Sequence, residues 1–289
     1  MATNKIKFRL QGHEKFSLRD GWLNKGLIIV NDNPNIFQSE DAPDIFGMGN
    51  NMVKSVRYWL KAFGLISETP GKGAKLTSTG KIIFDNDLYF EDILTLWILH
   101  SKIAKNIEEA TSWYIFFNRC QVDDLSREQI QSILKREIDK YVEGATFSDN
   151  SLRSDVDVIL NMYCNTKEVS DPEDKNISPF SELRLIKKVD GRYSKVHVDK
   201  RVINEWVVLY ELALAFEDSD SISIEEFSSA EKGLQEIYQM NQIMINDYLD
   251  KLDALGYIHV DRTAGLDMIY KEKAFSAEEV LQEYYKNNK

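Results

Sequence analysis

The chain has 289 residues, 43% of them hydrophobic and 11% aromatic, a composition that excludes intrinsic disorder. Its formal net charge of −11 argues against a general nucleic-acid binder. No apolar run reaches the roughly 18 residues of a membrane span. The opening MATNKIKFRLQGHEKF has no signal-peptide core, so a cytoplasmic protein is expected.

In chain order, Gly21 to Asn31 reads as a short helix with Trp22, Leu27, Ile28 and Val30 as its apolar set. Ser39 offers an N-cap to a brief second helix, with Glu40 and Asp41 in its first turn. That helix stops at the turn Gly47-Met48-Gly49. Asn50 can cap a third helix, Asn51 to Phe63, whose positions Met52, Val53, Val56, Trp59, Leu60 and Phe63 follow the 3.6-residue period. Gly64 is a natural terminator. Leu65-Ile66 and Lys75-Leu76-Thr77 then flank Thr69-Pro70-Gly71-Lys72-Gly73, the pattern of a small hairpin. Three helices and a trailing hairpin predict a winged helix-turn-helix over residues 1–85. This region holds twelve Lys/Arg against eight Asp/Glu, while the remainder holds 24 against 39. The positive charge is local.

Residues 86–217 read as a helical middle domain. The segments LYFEDILTLWILHSKIA and EEATSWYIFFNR are apolar enough for core helices. Leu125 to Tyr141 is a surface helix with Ser126 as cap and a stripe at Ile130, Ile133 and Leu134. Another helix opens at Ser151 and runs through Tyr163. Asn165 to Ser181 is a polar loop, Arg184 to Val198 a hairpin around Asp190-Gly191, and Asp199 to Phe216 a helix. Cys120 and Cys164 sit in apolar surroundings and read as reduced core residues.

Residues 218–289 repeat the order helix, helix, hairpin, with Ser223 to Ala230, Asn241 to Leu255 closed by Gly256, and a hairpin across Arg262-Thr263-Ala264-Gly265. A last helix, AEEVLQEYYK, follows. This second winged-helix-like module is acidic, with Asp247, Asp250 and Asp253 on its long helix and Glu225, Glu226 and Glu231 before it. Phosphates would be repelled there, so the module is expected to contact protein.

Lys54, Arg57 and Lys61 fall at i, i+3 and i+7 on the third helix with Tyr58 beside them, opposite the Val56/Trp59 face that must be buried. Asn50 and Asn51 stand at its start, and Lys72, Lys75 and Lys81 lie on or near the hairpin. Between Lys54 and Lys81 there are six basic residues and one acidic residue, Glu68. A helix presenting cations can enter the major groove while a basic wing follows the phosphates. The candidate DNA contacts are therefore Asn50, Asn51, Lys54, Arg57, Tyr58, Lys61, Lys72 and Lys75. The plainer reading is a solvated amphipathic face.

Gly12-His13-Glu14 with Arg19 is a second constellation, but adjacent side chains seldom converge on one ligand and no further His or Cys completes a metal site. His100, His197 and His259 are isolated. Asp155-Val156-Asp157 and Ser181-Glu182-Leu183-Arg184 lack the Glu-x-Lys partner of a nuclease set, and no phosphate-cradling loop, Cys-x-x-Cys pair or Gly-x-Ser-x-Gly is present. No metal, cofactor or enzymatic activity is implied.

Several phrases nevertheless resemble a bacterial family, domain-of-unknown-function family 4007. They are Gly12-His13-Glu14-Lys15-Phe16, Leu18-Arg19, Gly21-Trp22-Leu23, Asp41-Ala42-Pro43 and, most specifically, the run from Gly47 to Trp59. Glu91-Asp92, Thr95 to His100, Trp113 with Phe116-Phe117-Asn118, Ser151-Leu152 with Asp155-Val156, and Ser181-Glu182-Leu183 complete the pattern. Where the family tends to have Gly-Lys-Asn-Met, this chain has Gly49-Asn50-Asn51-Met52, one cation fewer. The resemblance implies association with sulfurtransferase-like proteins akin to phosphoadenosine-phosphosulfate reductase, in clusters tied to DNA sulfur modification (phosphorothioation) and phage defence. It thus implies an accessory, DNA-engaging subunit of such a system and supplies no catalytic residue; with no catalytic motif in the residues, a non-catalytic adaptor that recruits a partner enzyme is expected. The residues themselves leave open a scaffold that binds no DNA, and a transcriptional regulator, which would need a dimer and a palindromic site.

Overall fold

The computed structural model describes residues 6–164, 178–265 and 267–288. It is mainly helical with three small antiparallel sheets, and one hydrophobic cluster runs from Leu18 to Tyr285. Most of the polar loop expected at 165–181 lies outside the described residues.

The N-terminal third follows its sequence closely. Helix α1 (Trp22–Asp32) buries Trp22, Leu23, Leu27 and Val30. Helix α2 (Ala42–Phe46) starts later than its expected Ser39 cap, because the Ser39 hydroxyl accepts from Asp41 N instead and Pro43 favours a start just before it. Helix α3 (Asn50–Ala62) takes Gly49, not Asn50, as its N-cap, leaving the Asn50 side chain exposed. Gly64 closes it at φ 63°, with Gly64 N donating to Lys61 O and Leu65 N to Leu60 O, a Schellman pair. Strands β1 (Ile66–Thr69) and β2 (Gly73–Leu76) pair in register Ser67 with Lys75 and Glu68 with Ala74. Ala74 N donates to Pro34 O at 2.7 Å, tying the hairpin to the loop after α1. Gly73 allows this approach, since a Cβ there would lie 2.4 Å from Pro34 O. Thr77 then caps α4 (Ser78–Asn86), a helix the sequence pattern does not announce.

Helix α5 (Ile93–Ala104) is buried on every side from Leu94 to Ser101, as its continuous apolar run requires. It packs against α6 (Thr111–Arg119), which leads to α7 (Arg127–Tyr141) and α8 (Asp149–Cys164). Ser126 and Gln129 close a capping box on α7. Strands β3 (Ile186–Val189) and β4 (Arg192–Lys195) turn at Asp190-Gly191 with both φ positive, as a tight hairpin demands. Helix α9 (Glu205–Ala215) begins six residues after the expected Asp199. The Asp199 carboxylate accepts from Arg201 N and holds its guanidinium in a turn, and Asn204 supplies the cap.

The C-terminal region comprises β5 (Ser221–Ser223), α10 (Ile224–Ser229), α11 (Leu234–Tyr238), α12 (Gln242–Ala254), β6 (Ile258–Asp261), β7 (Met268–Lys271) and α13 (Ala277–Asn287). The sheet order is β5-β7-β6. Helix α13 returns to the middle of the protein, where Tyr284 OH donates to Asp92 at 3.0 Å and Tyr285 OH meets Thr95 Oγ1. Cys120 and Cys164 are free thiols, the first buried and the second half-buried, and burial pushes both up to about 12.

His100 on α5 is buried between Tyr163 OH at 2.7 Å and Ile237 O at 2.8 Å. The carbonyl can only accept, so Nε2 carries the hydrogen and Nδ1 accepts from Tyr163. Burial depresses its pKa to about 4. The unfolded chain takes up a proton near 6.5, so stability is full above that pH and falls until the folded group titrates near 4. The loss is on the order of 3 kcal/mol. Imidazole NMR should find His100 neutral at about pH 5; protonation near 6.5 would refute this account.

Candidate nucleic-acid interface

Helix α3 has two buried sides. One carries Val56 and Leu60, buried as α3 packs against α1. The other meets the N-terminal segment around His13. This leaves a single exposed stripe, Asn50, Asn51, Lys54 and Arg57, continuing to the half-buried Lys61. The expected site residues separate accordingly. Asn50, Asn51 and Lys54 face solvent, with Lys54 Nζ 3.5 Å from Asn51 Oδ1.

Arg57 and Lys61 share the stripe but are already paired. Arg57 donates twice to Glu68 of β1, Nε to Oε1 at 2.7 Å and Nη2 to Oε2 at 2.9 Å. Lys61 lies 3.7 Å from Glu68 and 3.4 Å from Glu109. Glu109 also accepts from Arg9 at 2.6 Å. Burial raises the Glu109 pKa, but Arg9 and Lys61 together hold it below the usual carboxylate range.

Tyr58 is a correction. It is 2% exposed and lies beneath Arg9, whose guanidinium sits 5.1 Å from the ring centre. Burial, reinforced by Asp155, keeps its hydroxyl well above the usual phenol range. Neighbouring Arg57 in sequence does not put Tyr58 on the same face, since consecutive helical residues diverge by about 100°. Lys72 stands in the exposed hairpin tip. Lys75 shares the hairpin face of Ser67, opposite the face of Glu68 and Ala74 that turns toward α3. Lys81 pairs with Asp85 on α4 at 2.5 Å. The six cations from Lys54 to Lys81 therefore do not form one continuous face.

A pairing that sequence reasoning missed, between two motifs it had weighed separately, lies just behind this stripe. His13 stacks on Trp59 with ring centres 5.8 Å apart and meets Tyr58 and Trp113 edge-on. Its Nδ1 accepts from Lys15 N at 3.1 Å, so Nε2 carries the hydrogen and donates to Asp155 Oδ1 at 2.8 Å. Asp155 also accepts from Gln11 N at 2.8 Å and from Ser112 Oγ. Gly12 admits the Tyr58 ring, which a Cβ would meet at 2.4 Å. Ser, His and Asp meet here, but the carboxylate is the central member and His13 and Asp155 are 0% and 1% exposed. No imidazole is placed on the serine, whose hydroxyl is closed in the interior with the carboxylate, unlike a nucleophilic triad. The cluster locks the N-terminal turn and α3 onto α6 and α8.

The arrangement is that of a mainly helical protein in which a short helix, a glycine turn, a polar helix stripe and a hairpin follow one another. The family described as protein of unknown function (DUF4007) matches residues 10–285, and the chain belongs to it. The fold is similar to that of SspB. Its crystal structure is 25% identical with a TM-score of 0.84, covering 96% of this chain and 88% of that one. A magnesium ion-bound SspB crystal structure is 24% identical, with the same TM-score and coverage. No curated protein matches the sequence.

Among the described residues no three His, Cys, Asp or Glu side chains converge as metal ligands. Asp87 and Asp92 line one shallow cavity, but their oxygens are committed elsewhere. Asp87 accepts from Glu91 N, Asp92 N and Thr95 Oγ1, and Asp92 from Leu94 N and Tyr284 OH. With these oxygens engaged, the pair does not fit a magnesium cage. Among the described residues no helix is long and apolar enough to cross a membrane.

Proposed function

We propose that this chain is a DNA-engaging accessory subunit of a DNA-modification system, with α3 and the β1–β2 hairpin acting as the recognition helix and wing of a winged helix. The family membership and the likeness to SspB support the setting. The observation that carries the DNA contact is the stripe Asn50, Asn51 and Lys54, exposed beside a lysine-tipped hairpin in an otherwise acidic protein. The stripe would enter the major groove and Lys72 would follow a phosphate. The acidic C-terminal region, repelled by DNA, would face a partner enzyme such as a sulfurtransferase-like protein.

The test is fluorescence anisotropy with random duplex DNA across a salt series, with and without magnesium because one similar structure carries that ion. Plasmid integrity under the same conditions separates binding alone from cleavage. Salt-sensitive binding with the plasmid intact supports the reading. A second reading, a docking scaffold that binds no DNA, is favoured by the failure of the six cations from Lys54 to Lys81 to share one face and by the pairing of Arg57 and Lys61 with Glu68, and absence of binding at low salt would decide for it.

The same ion pairs yield a prediction. Glu68→Gln should free Arg57 for phosphates while Lys61 keeps Glu109, tightening duplex binding several-fold and steepening the log-log salt dependence by about one unit. Thermal stability should change by less than about 1 kcal/mol, because exposed ion pairs contribute little. Unchanged affinity would mean that this part of the stripe never reaches the backbone.

A further inference from the structure

At the start of a helix an asparagine ordinarily serves as the N-cap, its side-chain oxygen accepting from a backbone N–H of the first turn. Neither Asn50 nor Asn51 does so. Gly49 takes the cap position in extended backbone, φ −66° and ψ 156°, and α3 has no side-chain cap bond. Both asparagines already lie inside the helix, where they are weaker helix formers than alanine or lysine, and both are exposed. Among the described residues the Asn50 side chain has no hydrogen-bond partner. Asn51 has one, its Oδ1 accepting from Lys54 Nζ at 3.5 Å, which leaves a second lone pair and both amide hydrogens free. On the helical wheel the two fall about 40° and 60° to either side of Lys54, so the carboxamides flank the line of the stripe. Neither capping nor packing accounts for them.

A carboxamide offers a donor beside an acceptor. The major-groove edge of adenine presents the complement, the N7 acceptor beside the N6 amino donor, and an asparagine can meet both at once. A phosphate only accepts and would use half of that capacity. The first turn of a recognition helix is the part that reaches base edges. Charge points the same way. A chain with a net charge of −11 repels a polyanion as a whole, and among the described residues Lys54 is the stripe cation without an acidic partner. Phosphate attraction alone therefore holds a duplex weakly, and base contacts have to contribute. We infer that Asn50 and Asn51 read adenine in the major groove, so that the protein prefers duplexes with adenine beneath the first turn of α3. The side-chain oxygen accepts from the N6 amino group and the amide donates to N7. Lys54 steadies Asn51 from the side. This role rests on α3 being the recognition helix, and the experiment scores base preference separately from binding.

The full chain is incubated at about 50 mM salt with a duplex pool randomised over one helical turn, and the captured DNA is sequenced. Adenine should be enriched at one or more positions. Replacing those adenines by 7-deazaadenine keeps the base pair, the charge and the amino group but removes the N7 acceptor, and should weaken binding about tenfold. Asn50→Ala/Asn51→Ala should bind the unmodified selected duplex about tenfold more weakly and no longer distinguish it from the deaza duplex. Both residues are exposed and alanine favours a helix, so this variant should fold, which circular dichroism checks. Its salt slope should match that of the parent, because a carboxamide neutralises no phosphate, whereas loss of a phosphate-contacting lysine flattens the slope. Capture without base preference, guanine preferred in place of adenine, indifference to the deaza base, or a double-alanine variant that keeps the preference would each overturn the inference and leave DNA binding standing. Capture of no duplex even at low salt would remove the DNA-engaging function and the adenine preference with it.

Discussion

Replacing Lys54 and Lys72 together by glutamate is expected to weaken duplex binding at least a hundredfold at about 50 mM salt and to flatten the salt dependence by about two units. Each phosphate neutralised by a lysine releases counterions worth about 0.9 of a log-log unit. Reversal removes that release and adds repulsion. Lys54 is the exposed stripe cation that Glu68 and Glu109 leave alone, and Lys72 stands at the hairpin tip, so these two have the least to give up on meeting a phosphate. Lys75→Glu is the comparison that locates the surface. Its side chain shares the opposite hairpin face with Ser67, so a change of no more than a few-fold is expected. If Lys75→Glu proves as damaging as the double variant, DNA lies against the outer face of the hairpin instead.

The second large effect concerns stability. Asp155→Ala should destabilise the protein by about 3–5 kcal/mol, because it strands Gln11 N, His13 Nε2 and Ser112 Oγ without an acceptor in a closed interior. In a chain of this length the unfolding midpoint should drop on the order of ten degrees. Ser112→Ala removes one donor together with its need for an acceptor and should cost about 1 kcal/mol. Calorimetry on both variants checks the ranking. Near-equal losses would mean that the network is replaceable by packing alone. Because His13 stacks on Trp59 of α3, Asp155→Ala should also loosen the exposed stripe of α3, which hydrogen exchange would report as lowered protection.

Local signals in the sequence placed most of the elements and misjudged specific sides of them. The hairpin after α3 was legible because Pro70-Gly71-Lys72-Gly73 has few backbone alternatives between two apolar runs. Helix α4 was not, since STGKIIFDN is short and its apolar Ile82 and Ile83 do not make a full period. Strand β5 has three residues and gains its partner β7 only through tertiary folding. Periodicity marked Trp59 as buried but placed Tyr58 with the cations, because α3 is covered on two sides and a single moment vector describes only one. The pairing of Arg57 with Glu68 depends on the hairpin's approach to α3, which composition reduces to one acid among six bases. His13 was weighed against its neighbour Glu14, whereas its partner is 142 positions away, a distance at which no local pattern speaks.

That distance has a consequence for how the chain is made. A ribosome adds about 5–20 residues each second, so His13 emerges on the order of ten seconds before the carboxylate that accepts its hydrogen bond. For that interval the tryptophan face of α3 has no completed cover, and the segment around His13 settles only after α8 has been made. A nascent chain halted short of Asp155 should stay open to protease between residues 6 and 16, and one extended past α8 should not.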